Sequence, residues 1–257
     1  MSDAVASSAP RKRRLTGVAA QIYDGVLESR GATLAAIVCA LLFVVAIFAS
    51  LISPQDPYNL ATLDIFDARL PPGSKSQDGM IFLLGTDGQG RDMFSAMLYG
   101  LRTSLAVGSA SGLIAMMFGV SMGLFAAYTG GRTEALIMRV VDLLLGFPTI
   151  LVALMLLAIF GQGVGKVIAA LVIVQWAYFA RAVRSAALVE RNKEYVEAAT
   201  CLGLSKPRIV FGHILPNCLP PVIVIATIQV GHAIAAEATL SFLGIGLPVT
   251  EIGRAHV

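Results

Sequence analysis

RAVRSAALVERNKEYVEAATCLGLSKPRIVFGHILPN, residues 181–217, carries six basic side chains between two apolar runs. Its middle, Ser185 to Leu202, is rich in Ala, Glu, Arg and Leu, which favour helix. Gly203 is placed to end that helix, because glycine readily takes the left-handed conformation of a C-cap. Ser205 can cap a second short helix, with Pro207 in its first turn, where a missing N–H does no harm. Pro216 then marks the return to apolar sequence. The stretch predicts helix, glycine turn and short helix: a compact polar knob between two membrane-buried segments. An ordinary solvated helical loop would satisfy these observations equally well.

The chain around the knob supports the membrane setting. It has 257 residues, of which 56% are hydrophobic and 14% charged, and a mean hydropathy of +0.78. That is too little charge to cover a soluble domain. The net charge of +3 comes from clustered basic residues, which excludes the continuous basic stripe of a nucleic-acid surface. Cys39, Cys201 and Cys218 share no metal-ligand spacing and read as small hydrophobes.

A bilayer core of about 30 Å needs about 20 apolar residues in a helix. Ala32 to Ile52 supplies the first such run, Thr103 to Gly131 the second, and Leu143 to Gly165 the third, kinked at Pro148. Val167 to Ala180 is short, but Lys166 and Arg181 at its ends can snorkel outward. Ile214 to Ala236, continuing toward Leu247, makes a fifth. Small residues recur in the second run (Gly108, Gly112, Gly119, Gly123), as close packing in lipid requires. Arg11, Lys12, Arg13, Arg14 and Arg30 precede the first run, whereas the loop after it is acidic, with Asp56, Asp64, Asp67, Asp78, Asp87 and Asp92. By the positive-inside rule the N-terminus and the knob are cytoplasmic and the 53–102 loop is external. No cleavable signal peptide is evident, so the first span is read as a retained anchor.

Within the knob, Glu197-Ala198-Ala199 is followed after three residues by Gly203, and then by Leu215-Pro216. This pattern resembles the EAA loop of the membrane subunits of bacterial ABC importers. His213 stands where the pattern expects an apolar residue, yet HILPN is familiar in the dipeptide, oligopeptide and nickel branch. The external segment Gly85-Thr86-Asp87-Gly88-Gln89-Gly90-Arg91-Asp92 is similar to a signature of the same branch, as are Met138–Asp142 with Pro148 and Glu237–Gly244. The resemblance covers nearly all of 85–248 and the first span, and is nearest the second permease of each pair.

It implies an all-α fold, a polytopic membrane protein of the ABC type I importer permease class with about five of six transmembrane helices present. It further implies that Glu197, Ala198, Ala199, Gly203, Leu215 and Pro216 dock on an ATPase subunit. The expected partners are a homologous second permease, two ATPases that hold ATP and Mg, an external solute-binding protein and the bilayer of the bacterial inner membrane. The domain reading is a cytoplasmic tail 1–31, a first span 32–52, an external loop 53–102 with an interfacial helix, and a core 103–251 containing the 181–217 loop. Residues 252–257 do not resemble the family and read as a non-native tail, with a sixth span missing.

Nothing in the chain suggests catalysis. GQGVGK at Gly161 to Lys166 lacks the first glycine and the Ser or Thr of a phosphate loop, and reads as a turn. His213, His232 and His256 are widely separated, and no metal site is expected. Glu237 is an acidic residue inside an apolar stretch, with Gln229 and His232 nearby, and such a group is a functional candidate by default. Without a partner carboxylate in a neighbouring span, path lining or helix packing is favoured over a proton relay. Asp142, three residues after Arg139, is expected to form an intrahelical ion pair. In the external segment, Gly85, Thr86, Asp87, Gly90, Arg91 and Asp92 are expected to pin a loop rather than touch solute. A secondary transporter using Glu237 and His232 as ion-coupling groups is the rival, though no inverted repeat is visible; a plain membrane anchor would leave the Glu197–Gly203 pattern unexplained.

Overall fold

The computed structural model describes residues 29–59, 63–76 and 79–246. The basic cluster at 11–14 and the tail at 252–257 lie outside the described residues.

The described chain is helical, apart from one two-stranded hairpin. A first apolar helix, α1 (Arg30–Ile47), continues after a break at Phe48 into α2 (Ala49–Ile52). A loop module follows, containing β1 (Ser74–Lys75) paired antiparallel with β2 (Ile81–Phe82). Then come α3 (Met93–Thr129), α4 (Gly131–Gly146), α5 (Thr149–Phe160), α6 (Val164–Arg191), α7 (Glu194–Cys201), α8 (Lys206–Ile209), a π-helical turn (Val210–Ile214) and α9 (Leu215–Phe242). By length and composition four helical stretches can cross a membrane, or five if the bent α4–α5 pair is one span.

The centre of the fold is α3 against α6 and α9. One stripe of small residues on α3 makes this packing close. A Cβ at Gly108 or Gly112 would fall 2.5 or 2.9 Å from side chains of α9, Ile234 and Val230. One at Gly119 or Gly123 would fall 2.4 or 2.6 Å from backbone carbonyls of α6, those of Trp176 and Ala180. The stripe follows from helical geometry, since eleven residues return almost to the same face at about 3.6 residues per turn. In lipid, where apolar side chains gain nothing by leaving the solvent, this backbone approach supplies the packing energy.

Three expectations are corrected. The second span begins at Met93, ten residues earlier than Thr103, so the stretch after Asp92 is the first turns of α3 and not a separate interfacial helix. Within Leu143–Gly165 the break is sharper than a kink: α4, which starts at Gly131, and α5 meet at 94° across Phe147 and Pro148. Pro148 lacks the N–H needed to continue α4, and Phe147 before it is extended (φ −104°, ψ 147°), as a residue preceding proline tends to be. The twelve residues of α5 rise only about 18 Å. Finally, Val167–Ala180 lies in the first half of a much longer helix, α6, which continues through Arg181 and Arg184 to Arg191. Arg181 and Arg184 are tolerated because they face partners on α4.

Candidate functional site

The knob grows directly from α6. Its helix does not run unbroken to Leu202 as expected; it stops at Asn192 and restarts as α7 at Glu194. The corner is held by Glu190, which accepts hydrogen bonds from Lys193 Nζ and the Tyr195 hydroxyl, both at 2.6 Å. Burial first, and then donation to Glu190, push the Tyr195 hydroxyl up to about 12, so it remains a donor at any physiological pH. Asn217 on α9 reaches the same hydroxyl at 3.3 Å and the His213 carbonyl at 2.7 Å. The second bond occupies a carbonyl within the π-helical turn that precedes Pro216, a residue unable to donate to the backbone.

Gly203 ends α7 as its sequence position suggested. At φ +71° its N–H bonds the Thr200 carbonyl at 3.0 Å, and Leu204 N–H bonds the Ala199 carbonyl at 3.2 Å. This is the paired pattern of a Schellman cap. Ser205 occupies the N-cap of α8, but its side chain makes no capping bond.

The six residues singled out for docking separate by exposure. Glu197, Ala198, Gly203 and Pro216 are exposed, Leu215 is half-buried, and Ala199 is buried. Ala199 turns inward with Val196 and joins a core shared with Ile209, Val210, Ile214 and the α6 residues Phe179 and Val183. Sequence reasoning treated the two alanines alike, although one helical step separates an outward from an inward face. It also missed Leu202, left 80% exposed at the tip of the knob. Cys201 is exposed as well, not the packed small hydrophobe expected.

Beneath the knob, α6 is tied to its neighbours. Arg191 donates to the Ala127 carbonyl at 3.0 Å at the end of α3. Arg184 pairs with Glu134, and Arg181 with Asp142, both on α4. The second pair corrects the expected Arg139–Asp142 bond. Asp142 meets a cation 39 residues away, where α4 packs against α6. Lys206 lies 5.9 Å from the centre of the Tyr128 ring, within cation–π range. These contacts tie α6, from which the knob grows, to α3 and α4, and tie α8 to the end of α3.

At the other end of α3, the Gly85–Asp92 segment forms a pinned loop. Gly85 and Gly90 have φ +80° and +79°, and a Cβ on either would overlap the Leu70 or Asp64 carbonyl. Thr86 Oγ1 donates to the Asp67 carbonyl and accepts from Leu70 N–H at 2.8 Å. Asp92 caps α3, accepting from Ser95 N–H at 2.9 Å, while its own N–H donates to Gln55 Oε1 at 2.8 Å. Asp87 binds the Gln89 and Arg91 N–H groups and the Arg91 guanidinium. Burial pushes the Asp87 carboxyl up, but these donors outweigh it and hold it below its ordinary value.

A depressed carboxylate stabilises the fold fully above its unfolded pKa of about 3.9, and that stability is lost as pH falls through the folded value. The loop should therefore loosen as the pH falls through the Asp87 value, which lies below that of a free carboxylate. Amide exchange of residues 85–92 reports this directly. Asp87→Asn should show faster exchange at neutral pH and a smaller change on acidification than wild type.

The three intramembrane candidates do not converge. Gln229 and His232 line a cavity of about 380 Å³ between α5, α6 and α9. Glu237 is buried elsewhere on α9, where its carboxylate accepts from Ser104 of α3 and from Ser241, each at 2.8 Å. Glu237→Leu removes this shared acceptor and should cost about 1–3 kcal/mol, with a smaller loss for Glu237→Gln, which keeps an acceptor oxygen. Thermal unfolding in detergent distinguishes the two.

Comparison with known proteins places this arrangement. Residues 119–256 match the family model described as the binding-protein-dependent transport system inner membrane component. The chain belongs to this family. It is a non-catalytic, multi-pass permease subunit of an ABC transporter, in which ATP is hydrolysed by separate subunits. The permease is 35% identical to the di/tripeptide transport system permease protein DppC of Pseudomonas aeruginosa, covering 91% of this chain and 77% of that one. It is 38% identical to the glutathione transport system permease protein GsiD of Pectobacterium atrosepticum, with 91% and 75% covered. The oligopeptide transport system permease protein OppC of Bacillus subtilis is 36% identical, with 88% and 72% covered. Among the described residues of the permease, no group of three His, Cys, Asp or Glu could hold a metal ion.

Proposed function

We propose that this permease carries di- or oligopeptides, or a related small solute, across the bacterial inner membrane as one half of a heterodimeric pair. Its partners are a homologous second permease, two ATPase subunits that bind ATP and Mg, and an external solute-binding protein. The N-terminus and the knob at 181–217 face the cytoplasm, and the loop at 53–92 faces outward. Closure of the ATPases moves the knob, and the ties from α6 to α3 and α4 transmit that movement to the membrane helices.

The observation that carries this reading is the exposed α7 platform. Glu197, Ala198 and Leu202 are presented outward on a short helix whose far end is capped by Gly203 and whose inner face is fixed to the membrane core. The names of the relatives support peptide-like solutes, including glutathione. Gln229 and His232 are assigned to the solute path. Glu237 is assigned to packing between α3 and α9, since both of its carboxylate oxygens accept hydroxyl groups.

The test is uptake of a labelled dipeptide by proteoliposomes holding the permease with its second permease, ATPases and binding protein. Uptake should require both ATP and the binding protein. Accumulation driven by an ion gradient without the ATPases would overturn the proposal in favour of a secondary transporter.

A further inference from the structure

The cavity between α5, α6 and α9 contains a group that the path assignment does not use. Gln175 on α6 is buried, 5% exposed, and lines the cavity. Its Nε2 lies 3.5 Å from the Gln229 carbonyl. A carbonyl can only accept, so this contact sets which end of the amide is nitrogen. The other end, Oε1, is buried without a hydrogen-bond partner. A buried acceptor left open is costly and calls for a physical reason.

The surroundings indicate what would complete it. The cavity volume of about 380 Å³ falls within the range of small-molecule sites, about 300–1,000 Å³. Its polar lining is Thr149, Gln175, Tyr178, Gln229 and His232, with Thr239 at the side and aliphatic residues between them. No carboxylate lines it, so the charged ends of a peptide lie beyond this lining and the backbone amide is the part held here. Gln175 Oε1 is the buried acceptor of this lining without a partner, and a neutral N–H donor, which a peptide bond supplies, completes it. Thr149 belongs to the first turn of α5, immediately after the 94° break at Pro148. The bend therefore places the start of α5 beside Gln175 instead of continuing α4 past it.

We propose that this cavity is a transient peptide-binding station in which Gln175 Oε1 accepts a hydrogen bond from the peptide N–H of the passing solute. This rests on the peptide-permease reading above and adds a contact within the membrane to recognition by the binding protein.

The test uses the complete reconstituted transporter and two solutes, a dipeptide and its analogue methylated at the peptide nitrogen. The same binding protein serves both permease forms, so its own preference cancels when the uptake ratio of the two solutes is compared. In Gln175→Met that ratio should fall about three- to tenfold relative to wild type, the worth of one hydrogen bond, through slower dipeptide uptake. An unchanged ratio overturns the inference and leaves Gln175 serviced by water or by another helix. Where Gln175→Met does not assemble, Thr239→Cys carries the test, with thiol labelling read by mass spectrometry at residue 239. The dipeptide should slow labelling more than its methylated analogue does; equal labelling overturns the proposal. Failure of wild type to take up either solute with ATP removes the peptide-permease reading and this inference with it, whereas wild-type uptake with an unchanged ratio removes this inference alone.

Discussion

Gly119→Leu should abolish recovery of a folded permease from the membrane, while Gly100→Ala on the same helix should be recovered at wild-type yield. A Cβ at Gly119 would lie 2.4 Å from the Trp176 carbonyl oxygen, 2.6 Å from Phe179 Cβ and 3.1 Å from the Ala180 nitrogen. Two of these are backbone atoms of α6, which cannot rotate aside as a flexible side chain could. Relief requires α3 and α6 to separate along the main interface of the fold. Overpacking a tight core typically costs about 1–3 kcal/mol, and a leucine adds three further carbons to a site that does not admit the first. Gly119→Ala should be intermediate, with a lowered melting temperature in detergent. Gly100 has open space at its Cβ position, so alanine there should be neutral or slightly stabilising through helix propensity. Equal yields for Gly119→Leu and Gly100→Ala would contradict the packing described.

The second large effect separates two adjacent residues of the knob. Ala198→Arg should leave the permease folded, because the side chain enters solvent, but should reduce ATP-dependent uptake by tenfold or more (about 1.4 kcal/mol or more of lost docking). Ala199→Arg should fail earlier. Its side chain would enter the core formed with Val196, Ile209 and Ile214, where an unpaired charge costs several kcal/mol. The expected signature is thus a folded, uncoupled protein for Ala198→Arg and little folded protein for Ala199→Arg. If both variants fold normally and both lose uptake alike, the inward placement of Ala199 is wrong.

What could be read from residues alone divides by the range of the interaction. Apolar runs, the glycine that ends α7 and the aspartate that begins α3 are local features, and each is visible within a few residues. Gly203 at φ +71° and Asp92 bound to Ser95 N–H stand where local chemistry puts them. The Gly119–Gly123 spacing announced a close helix contact without naming the partner helix. Features set by tertiary packing were less legible. Pro148 signals an interruption, but 94° depends on what α4 and α5 each pack against. Arg139 was the nearest cation to Asp142 in sequence, yet the packing of α4 on α6 presents Arg181 instead. The stop at Asn192 depends on Glu190 holding Lys193 and Tyr195, a short-range arrangement with no familiar motif to mark it. Gln175 carried no sequence signal at all, since a single glutamine in an apolar helix gains meaning only when its unpaired oxygen and the cavity beside it are seen together.

The most direct test of the account is where the ATPase touches this chain. In the assembled transporter with Cys201 replaced by Ala, Ala198→Cys or Leu202→Cys should form a cross-link to the ATPase subunit with a short thiol-reactive linker. The yield should change when ATP binds, while Ile65→Cys in the 53–92 loop should give no ATPase adduct. Cross-linking at the knob that tracks the nucleotide state is the predicted result. Full ATP-driven uptake with no ATPase adduct from either knob position would contradict it.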